Sequence, residues 1–291
     1  MSSLVSVVTE VQPDARWVIA SQCIPADLVG DVVSWVGYSE QRAAPHRQRE
    51  LPGGLIHLIF EFGPPLSISD SGGEVCRPRR DQSFVTGLDD SFALTEHAGE
   101  QAGVQVSLMP TAARRVLGLP LGALMGLVVD AASLDSFRGG VTRQFASLDT
   151  WEERFAWVAG FLRQRLRTLD ARRDIAWAVQ AIRATRGSVS IQELQRQLGF
   201  SRKHLSALFQ DQVGVTPKLY AELTRFEGLT EALKAVGTPR QPMPSLAELA
   251  QEFGFSDQAH LARNVKRFSG LTPRGLTALL GAPHVELFEG R

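Results

Sequence analysis

A short pattern that occurs twice in the second half of this chain constrains its fold more than any other feature. Ser190-Ile-Gln-Glu-Leu-Gln-Arg-Gln-Leu-Gly-Phe-Ser201 returns 55 residues later as Ser245-Leu-Ala-Glu-Leu-Ala-Gln-Glu-Phe-Gly-Phe-Ser256, with Ser, Glu, Leu, Gly, Phe and Ser at matching places. Each copy runs on through a helical pattern to a related exit, Gly214-Val-Thr-Pro217 and Gly270-Leu-Thr-Pro273. A repeat of this kind is one supersecondary unit used twice.

The unit has a physical reading. Ser190 with Glu193, and Ser245 with Glu248, have the spacing of capping boxes, in which the serine hydroxyl accepts from the third helical N–H while the glutamate accepts from the serine N–H. A short helix then ends at Gly199 or Gly254, where the missing Cβ admits a left-handed backbone. Phe200 or Phe255 fills the corner, and Ser201 or Ser256 is expected to cap a second helix. Helix, glycine turn and helix make the helix-turn-helix pattern. In the second helix Leu205, Leu208 and Phe209 of one copy, and Leu261, Val265 and Phe268 of the other, form an apolar stripe. The opposite faces carry Arg202, Lys203, Ser206, Ala207 and Gln210, or Gln258, Ala259, Ala262, Arg263 and Lys266. Such faces suit the major groove of B-DNA, which admits a helix. One copy alone would read as a solvated surface helix; two capped copies in register favour DNA.

Between the copies, Pro217 opens a helical stretch from about Lys218 to Ala235, with Gly237, Pro239, Pro242 and Pro244 beyond it. A continuous helix there would be a stiff spacer of roughly 27 Å, interrupted only by Gly228. It could hold two reading helices about one DNA turn, ~34 Å, apart.

Charge agrees with this division. The 291 residues include 31 basic and 31 acidic ones, and a zero net charge looks unfavourable to a polyanionic partner. Along the chain it is a cancellation: 15 Arg stand against 20 Asp and Glu up to Asp170, and 16 Lys and Arg against 11 Asp and Glu after it. An acidic half joined to a basic half is expected where one domain touches nucleic acid and the other does something else. The acidic half could dock on the basic half and mask it.

From about Asp174 to Thr277 the chain resembles the DNA-binding domain of the AraC/XylS family of bacterial transcription regulators. The resemblance rests on Leu249-Ala250, Gly254-Phe255-Ser256-Asp257-Gln258-Ala259-His260-Leu261-Ala262-Arg263, Lys266, Phe268, Gly270 and Thr272-Pro273, with Tyr220 and Arg225 in the linker helix. It implies base-facing positions at Lys203, Ser206 and Ala207 in the first reading helix and at Gln258, Ala259, His260 and Arg263 in the second. Arg202, Lys203 and Lys266 suit phosphates, whereas His204 and His260 also read as neutral packing residues. Val265 stands where the family has an aromatic, and Leu276-Thr277 where it has Tyr-Arg. Double-stranded DNA is then the partner, with RNA polymerase as a further one for an activator, and a small-molecule effector and a homodimer as additional expectations.

The first half is read more coarsely. Trp17 to Ala20, Leu55 to Phe62 and Val104 to Leu108 have strand character, Pro110 to Leu117 reads as a helix, and Ala123 to Val129 as another. Trp151, Phe155, Val158, Leu162, Leu166 and Leu169 form a helical stripe, either core packing or a dimer seam. The segment from Pro45 to Gly63, with Val104 to Gly118, resembles cupin-like sensor domains. The expected class is therefore α+β. A β-rich sensor at 1–145 and a connecting helix at 146–170 precede an all-α domain at 171–281, with helix-turn-helix units at 190–212 and 245–269 and a tail at 282–291.

His46, His57 and His97 with Glu50 and Glu61 invite a metal reading, but no His-x-His pair is present, and His57 and Glu61 would stand about 13 Å apart on a strand. No metal, cofactor or catalytic residue is expected. Cys23 and Cys76 form neither a disulfide framework nor a thiolate cluster. The first ten residues lack the flank and core of a signal peptide, and no apolar run is long enough to span a membrane, so a cytoplasmic protein is expected. The leading function is a sequence-specific transcription regulator and not an enzyme. The alternatives are a cupin-like metal-dependent enzyme fused to a DNA-binding domain, and a ligand-independent regulator that works through protein partners.

Overall fold

The computed structural model describes residues 4–73, 75–76, 83–168, 172–236 and 244–281. Leu169, the split after Asp170, the stops at Gly237, Pro239 and Pro242, the Cys76 side chain and the tail 282–291 lie outside the described residues. The first half is β-rich and the second is helical. Strands β1 (Ser6–Gln12), β2 (Ala15–Ser21), β3 (Val32–Arg42), β5 (Ile56–Glu61), β8 (Phe84–Thr86), β10 (Glu100–Leu108) and β11 (Val128–Asp130) form one antiparallel sheet in the order β1-β2-β3-β10-β5-β8-β11. Strands β4 (His46–Glu50), β6 (Ser67–Ser69), β7 (Val75–Cys76) and β9 (Ala93–His97) form a second, in the order β4-β9-β6-β7. A β-rich half followed by an all-helical one is the expected α+β class.

The two-residue side-chain period of a strand assigns the faces. Ile56, Leu58 and Phe60 of β5, with Val104 and Val106 of β10 paired beside Phe60 and Leu58, look toward helices α1 (Pro110–Leu117), α2 (Val141–Ala146) and α3 (Trp151–Leu166). His57, Ile59 and Glu61 look the other way, where Ile59, Tyr38 and Phe84 pack with Ile68 of the second sheet and with Leu66 just before it. The α3 stripe is core packing: Phe155, Val158, Leu162 and Leu166 are buried within this chain. Trp151 lies so close to the sheet that a Cβ on Gly37 would stand 2.5 Å from its ring, so β3 needs glycine there. The helix expected over Ala123–Val129 does not form. A single 3₁₀ turn at Leu121–Leu124 gives way to β11, because Val128 and Val129 complete the sheet edge against β8.

The helical half contains α4 (Arg173–Ala184), α5 (Ile191–Leu198), α6 (Arg202–Gln212), α7 (Pro217–Val236), α8 (Leu246–Glu252), α9 (Gln258–Ser269) and α10 (Pro273–Leu280). One buried apolar cluster runs from Ala20 of β2 to Leu280 of α10, so the two halves share a core. Val265 and Leu276, where the family pattern is not followed, are both buried in it. Among the described residues no helix is long and apolar enough to cross a membrane.

Two buried carboxylates in the β-rich half have opposite fates. Glu40 accepts from Trp17 Nε1 at 2.8 Å, from Gln101 Nε2 at 2.6 Å and from Arg42. His97 Nε2 is 3.2 Å from it, within ion-pair reach but off the line of a hydrogen bond. Burial pushes the Glu40 carboxyl up, but His97, Arg42, Gln101 and Trp17 together outweigh burial and hold it at about 2. Glu61 has only the Tyr38 hydroxyl, and burial pushes it up to about 8. Glu40 therefore adds stability above its ordinary value of 4.5 that is lost as pH falls toward 2, while the contribution of Glu61 is lost as pH rises from 4.5 through 8. Urea unfolding across this range should show Glu61→Gln flattening the alkaline loss. Glu40→Gln should cost about 3 kcal/mol at pH 7 and flatten the acid loss.

Candidate nucleic-acid interface

Each repeat folds into two helices around a glycine turn. In the first, Ser190 Oγ accepts from the Glu193 N–H at 3.4 Å, and α5 ends on Gly199 at φ +68°. The expected reciprocal box is only half made, because Arg196, one turn on, takes the Glu193 carboxylate at 2.7 Å and Gln197 shares it. Ser201 Oγ then accepts from the His204 N–H at 3.2 Å and starts α6, as expected. In the second repeat the box is complete: the Ser245 N–H donates to Glu248 at 2.7 Å and the Glu248 N–H to Ser245 Oγ at 3.2 Å. After Gly254 at φ +67°, however, the cap of α9 is Asp257 and not Ser256. Asp257 Oδ1 accepts from the His260 N–H at 2.7 Å, and Ser256 turns to Asp257 Oδ2 and His260 Nδ1. A carboxylate at a helix N-terminus gains from the helix dipole as well as from the hydrogen bond, so it displaces the serine.

The caps fix which faces are open. Leu205 and Phe209 of α6, and Leu261, Val265 and Phe268 of α9, are buried. Arg202, Lys203, Ala207 and Gln210 are exposed and Ser206 is half-buried; Gln258, Ala259, Arg263 and Lys266 are exposed and His260 is half-buried. His204 stands edge-on to Phe200 with ring centroids 4.8 Å apart, and His260 stands likewise to Phe255 at 5.4 Å. The Lys266 ammonium donates to the Gly270 carbonyl at 2.6 Å, capping its own helix. Between the two units α7 is an unbroken helix of 20 residues, about 30 Å long, and Gly228 within it admits the Phe253 ring, which a Cβ would meet at 3.3 Å.

Residues 194–278 match the family pattern described as a helix-turn-helix domain. This is an AraC-type helix-turn-helix domain, and the chain is a DNA-binding transcription regulator. Residues 21–130 match a domain of unknown function, DUF6597. No curated protein matches the sequence. Among solved structures the chain is similar to ToxT from Vibrio cholerae, at 10% identity over 81% of this chain and 98% of that one with a TM-score of 0.48. It is also similar to ToxT of Vibrio cholerae strain SCE256 with unsaturated fatty acid bound, at 10% identity over 86% and 96% with a TM-score of 0.47. The AraC-like transcriptional activator CuxR is similar at 14% identity over 79% and 86%, with a TM-score of 0.34.

The AraC-type domain is held from behind by residues that, Tyr220 apart, the sequence does not single out. Tyr220 of α7 donates to the Gly54 carbonyl at 3.1 Å, and the Gly54 N–H donates to Glu227 at 3.2 Å, which also binds Arg183 at 3.1 and 3.3 Å. At α9, Arg49 donates to the Ser269 carbonyl at 2.8 Å, and Arg267 bridges Asp90 at 2.7 Å and Glu222 at 3.0 Å. At α6, Arg114 reaches Asp211 at 3.4 Å. The acidic half does dock on the basic half, but it grips α7 and the C-terminal ends of α6 and α9 and leaves their exposed faces uncovered. The one sequence signal of this was the apolar character of α7 on several sides, the mark of a helix enclosed by others.

A cavity of about 470 Å³ opens between the two sheets. Its wall includes residues 50–53 and 55 and residues 86–89, so the segments that contact α7 and α9 also border the cavity. His57 lies in the wall, bonded to Ser107 at 3.2 Å, whereas His46 and His97 are cross-strand neighbours in the other sheet. Cys23 is exposed. If Asp257 is the cap, Asp257→Ala should lower Tm by about 2–4 °C, and Ser256→Ala by less, in thermal unfolding of the full chain.

Proposed function

We propose that the regulator binds one face of a duplex through α6 and α9, reading two adjacent major-groove segments, and that a small molecule in the cavity adjusts this binding. The observation that supports the reading is the pair of capped helices with buried backs and open faces, joined by a helix about 30 Å long, close to one DNA turn. The domain limits at 1–145, 146–170, 171–281 and 282–291 belong to the same proposal.

The roles differ by residue. Arg263 is exposed and suits the O6 and N7 acceptors of guanine. Gln258, Ala259 and His260 line the first turn of α9, and His260, with Nδ1 engaged by Ser256, offers only Nε2. Ser206 and Ala207 are too short for long reach and contribute shape, while Arg202, Lys203 and Lys266 bind phosphates. The effector reading is supported by the cavity wall, whose two segments hold the contacts to α7 and α9.

Fluorescence anisotropy with a duplex selected from random sequence by the full chain tests the DNA reading. Arg263→Ala should shrink the ratio of specific to random binding by roughly 5- to 150-fold, the equivalent of about 1–3 kcal/mol. Lys203→Ala should weaken both duplexes alike and reduce the salt slope by about 1. Selection that enriches no sequence, or an unchanged ratio in Arg263→Ala, refutes the assignment.

A further inference from the structure

The chemistry of the cavity restricts what it can hold. No lysine or arginine is among the described residues of its wall, which carries three carboxylates, Glu50, Asp70 and Asp89. Burial pushes the His57 pKa down despite the nearby Glu227 carboxylate, so the histidine of the wall is neutral at pH 7 and adds no positive charge. The carboxylates are not equivalent. Asp89 Oδ1 accepts from the Asp90 N–H at 2.6 Å, the Ser91 N–H at 3.1 Å and the Ser91 hydroxyl at 3.0 Å, so it is committed to its own turn. Asp70 sits in a turn closed by the Gly73 N–H.

Glu50 is the carboxylate with spare capacity. Its Oε1 accepts from Thr95 at 3.0 Å, and Oε2 makes no hydrogen bond among the described residues. Burial pushes the Glu50 carboxyl up, opposed by the Thr95 hydroxyl and by Lys234 of α7, which stands outside the wall, so a cation seated on Glu50 would favour its ionised form. Deeper on the same face of β5, Glu61 is 96% buried, with its Oε2 unpaired behind the Tyr38 hydroxyl. Tyr38 and Phe84 supply aromatic surface and Leu55, Ile59 and Ile68 an apolar bed. A carboxylate or phosphate brought here would meet the Glu50 carboxylate and, among the described residues of the wall, no lysine or arginine, in a medium that screens poorly. An ammonium group would supply donors to Glu50 and would be favoured by the aromatic ring faces.

Resting on the reading of the cavity as an effector site, we infer that its ligand is an apolar organic cation, a protonated amine seated on Glu50 with its alkyl or aromatic body between the two sheets.

Calorimetric titration of the full chain with octylamine, octanol and octanoate tests this, because the three share a body and differ in the head group. The amine should bind at least about tenfold more tightly than either other probe, and Glu50→Gln, which keeps the acceptor for Thr95, should abolish that preference. Filling the cavity with Ile59→Trp should abolish binding. The assignment is overturned if octanoate or octanol binds as well as the amine, if none of the three binds, or if amine binding survives Ile59→Trp. The wild-type comparison decides even where a variant does not fold. DNA affinity measured on the same samples separates the two readings. Amine binding that leaves DNA affinity unchanged supports the ligand class and refutes the effector role. Octanoate or octanol that binds best and shifts DNA affinity refutes the ligand class and leaves the effector role standing.

Discussion

The carboxylate of Glu227 joins the β-rich half to α7, the helix that separates the two helix-turn-helix units. It accepts from the Gly54 N–H and from both terminal nitrogens of Arg183, while the carbonyl of the same Gly54 accepts from Tyr220. One backbone unit of a loop thus has its donor and its acceptor satisfied by a single helix 166 and 173 residues further along the chain. Groups this enclosed are costly to leave unpaired, so the loop and α7 hold each other in one arrangement. Because α7 also separates the two helix-turn-helix units, fixing α7 fixes the spacing between α6 and α9.

The remaining contacts between the halves follow the same logic. Arg49 meets the C-terminal carbonyl of α9 at Ser269, where a cation complements the helix dipole, and Arg114 meets Asp211 in the last turn of α6. Both α6 and α9 are held by their C-terminal ends and leave their N-terminal turns to solvent. Docking of an acidic region on a basic one is therefore compatible with an open DNA face. Acidic Asp90 and Asp211 are spent on Arg267 and Arg114, away from the side chains that would meet DNA.

The helical half was legible in the sequence because its signals are local. Ser201, Ser245, Gly199, Gly254 and Pro217 each act within one turn of their own position, and the structure uses each as its residue type dictates. The failures were also local, and each is a competition between near neighbours. Arg196 draws Glu193 away from Ser190, and the stronger acceptor Asp257 takes the cap from Ser256. The misread helix over Ala123–Val129 has another cause: an apolar run fits a helix or a strand equally, and pairing with β8 decides it. Of the contacts between halves, the opposite charges suggested docking and the apolar sides of α7 its place, but the partners were not legible. Nothing in the identity of Gly54, Asp90 or Glu227 names a partner more than a hundred residues away, and a cavity is a property of two sheets together.

The arrangement also bounds how strongly the cavity could influence DNA binding. A ligand shifts an equilibrium only by its differential affinity for two states, and in the proposed reading the two states would differ in how the wall segments hold α7 and α9. The contacts in question are the two hydrogen bonds at Gly54, the Arg49 bond to Ser269 and the Arg267 bridge. Hydrogen bonds of this kind contribute about 1 kcal/mol each, and the half-exposed Arg267 pair less. Breaking or making all of them together amounts to about 3 kcal/mol, at the top of the usual range for coupling between sites. The shared apolar core opposes larger movements, because separating the halves would expose side chains such as Phe209, Tyr220 and Leu121 to water. Under the proposed reading, a ligand would therefore act through small changes in the angle and spacing of α6 and α9, with the halves kept together.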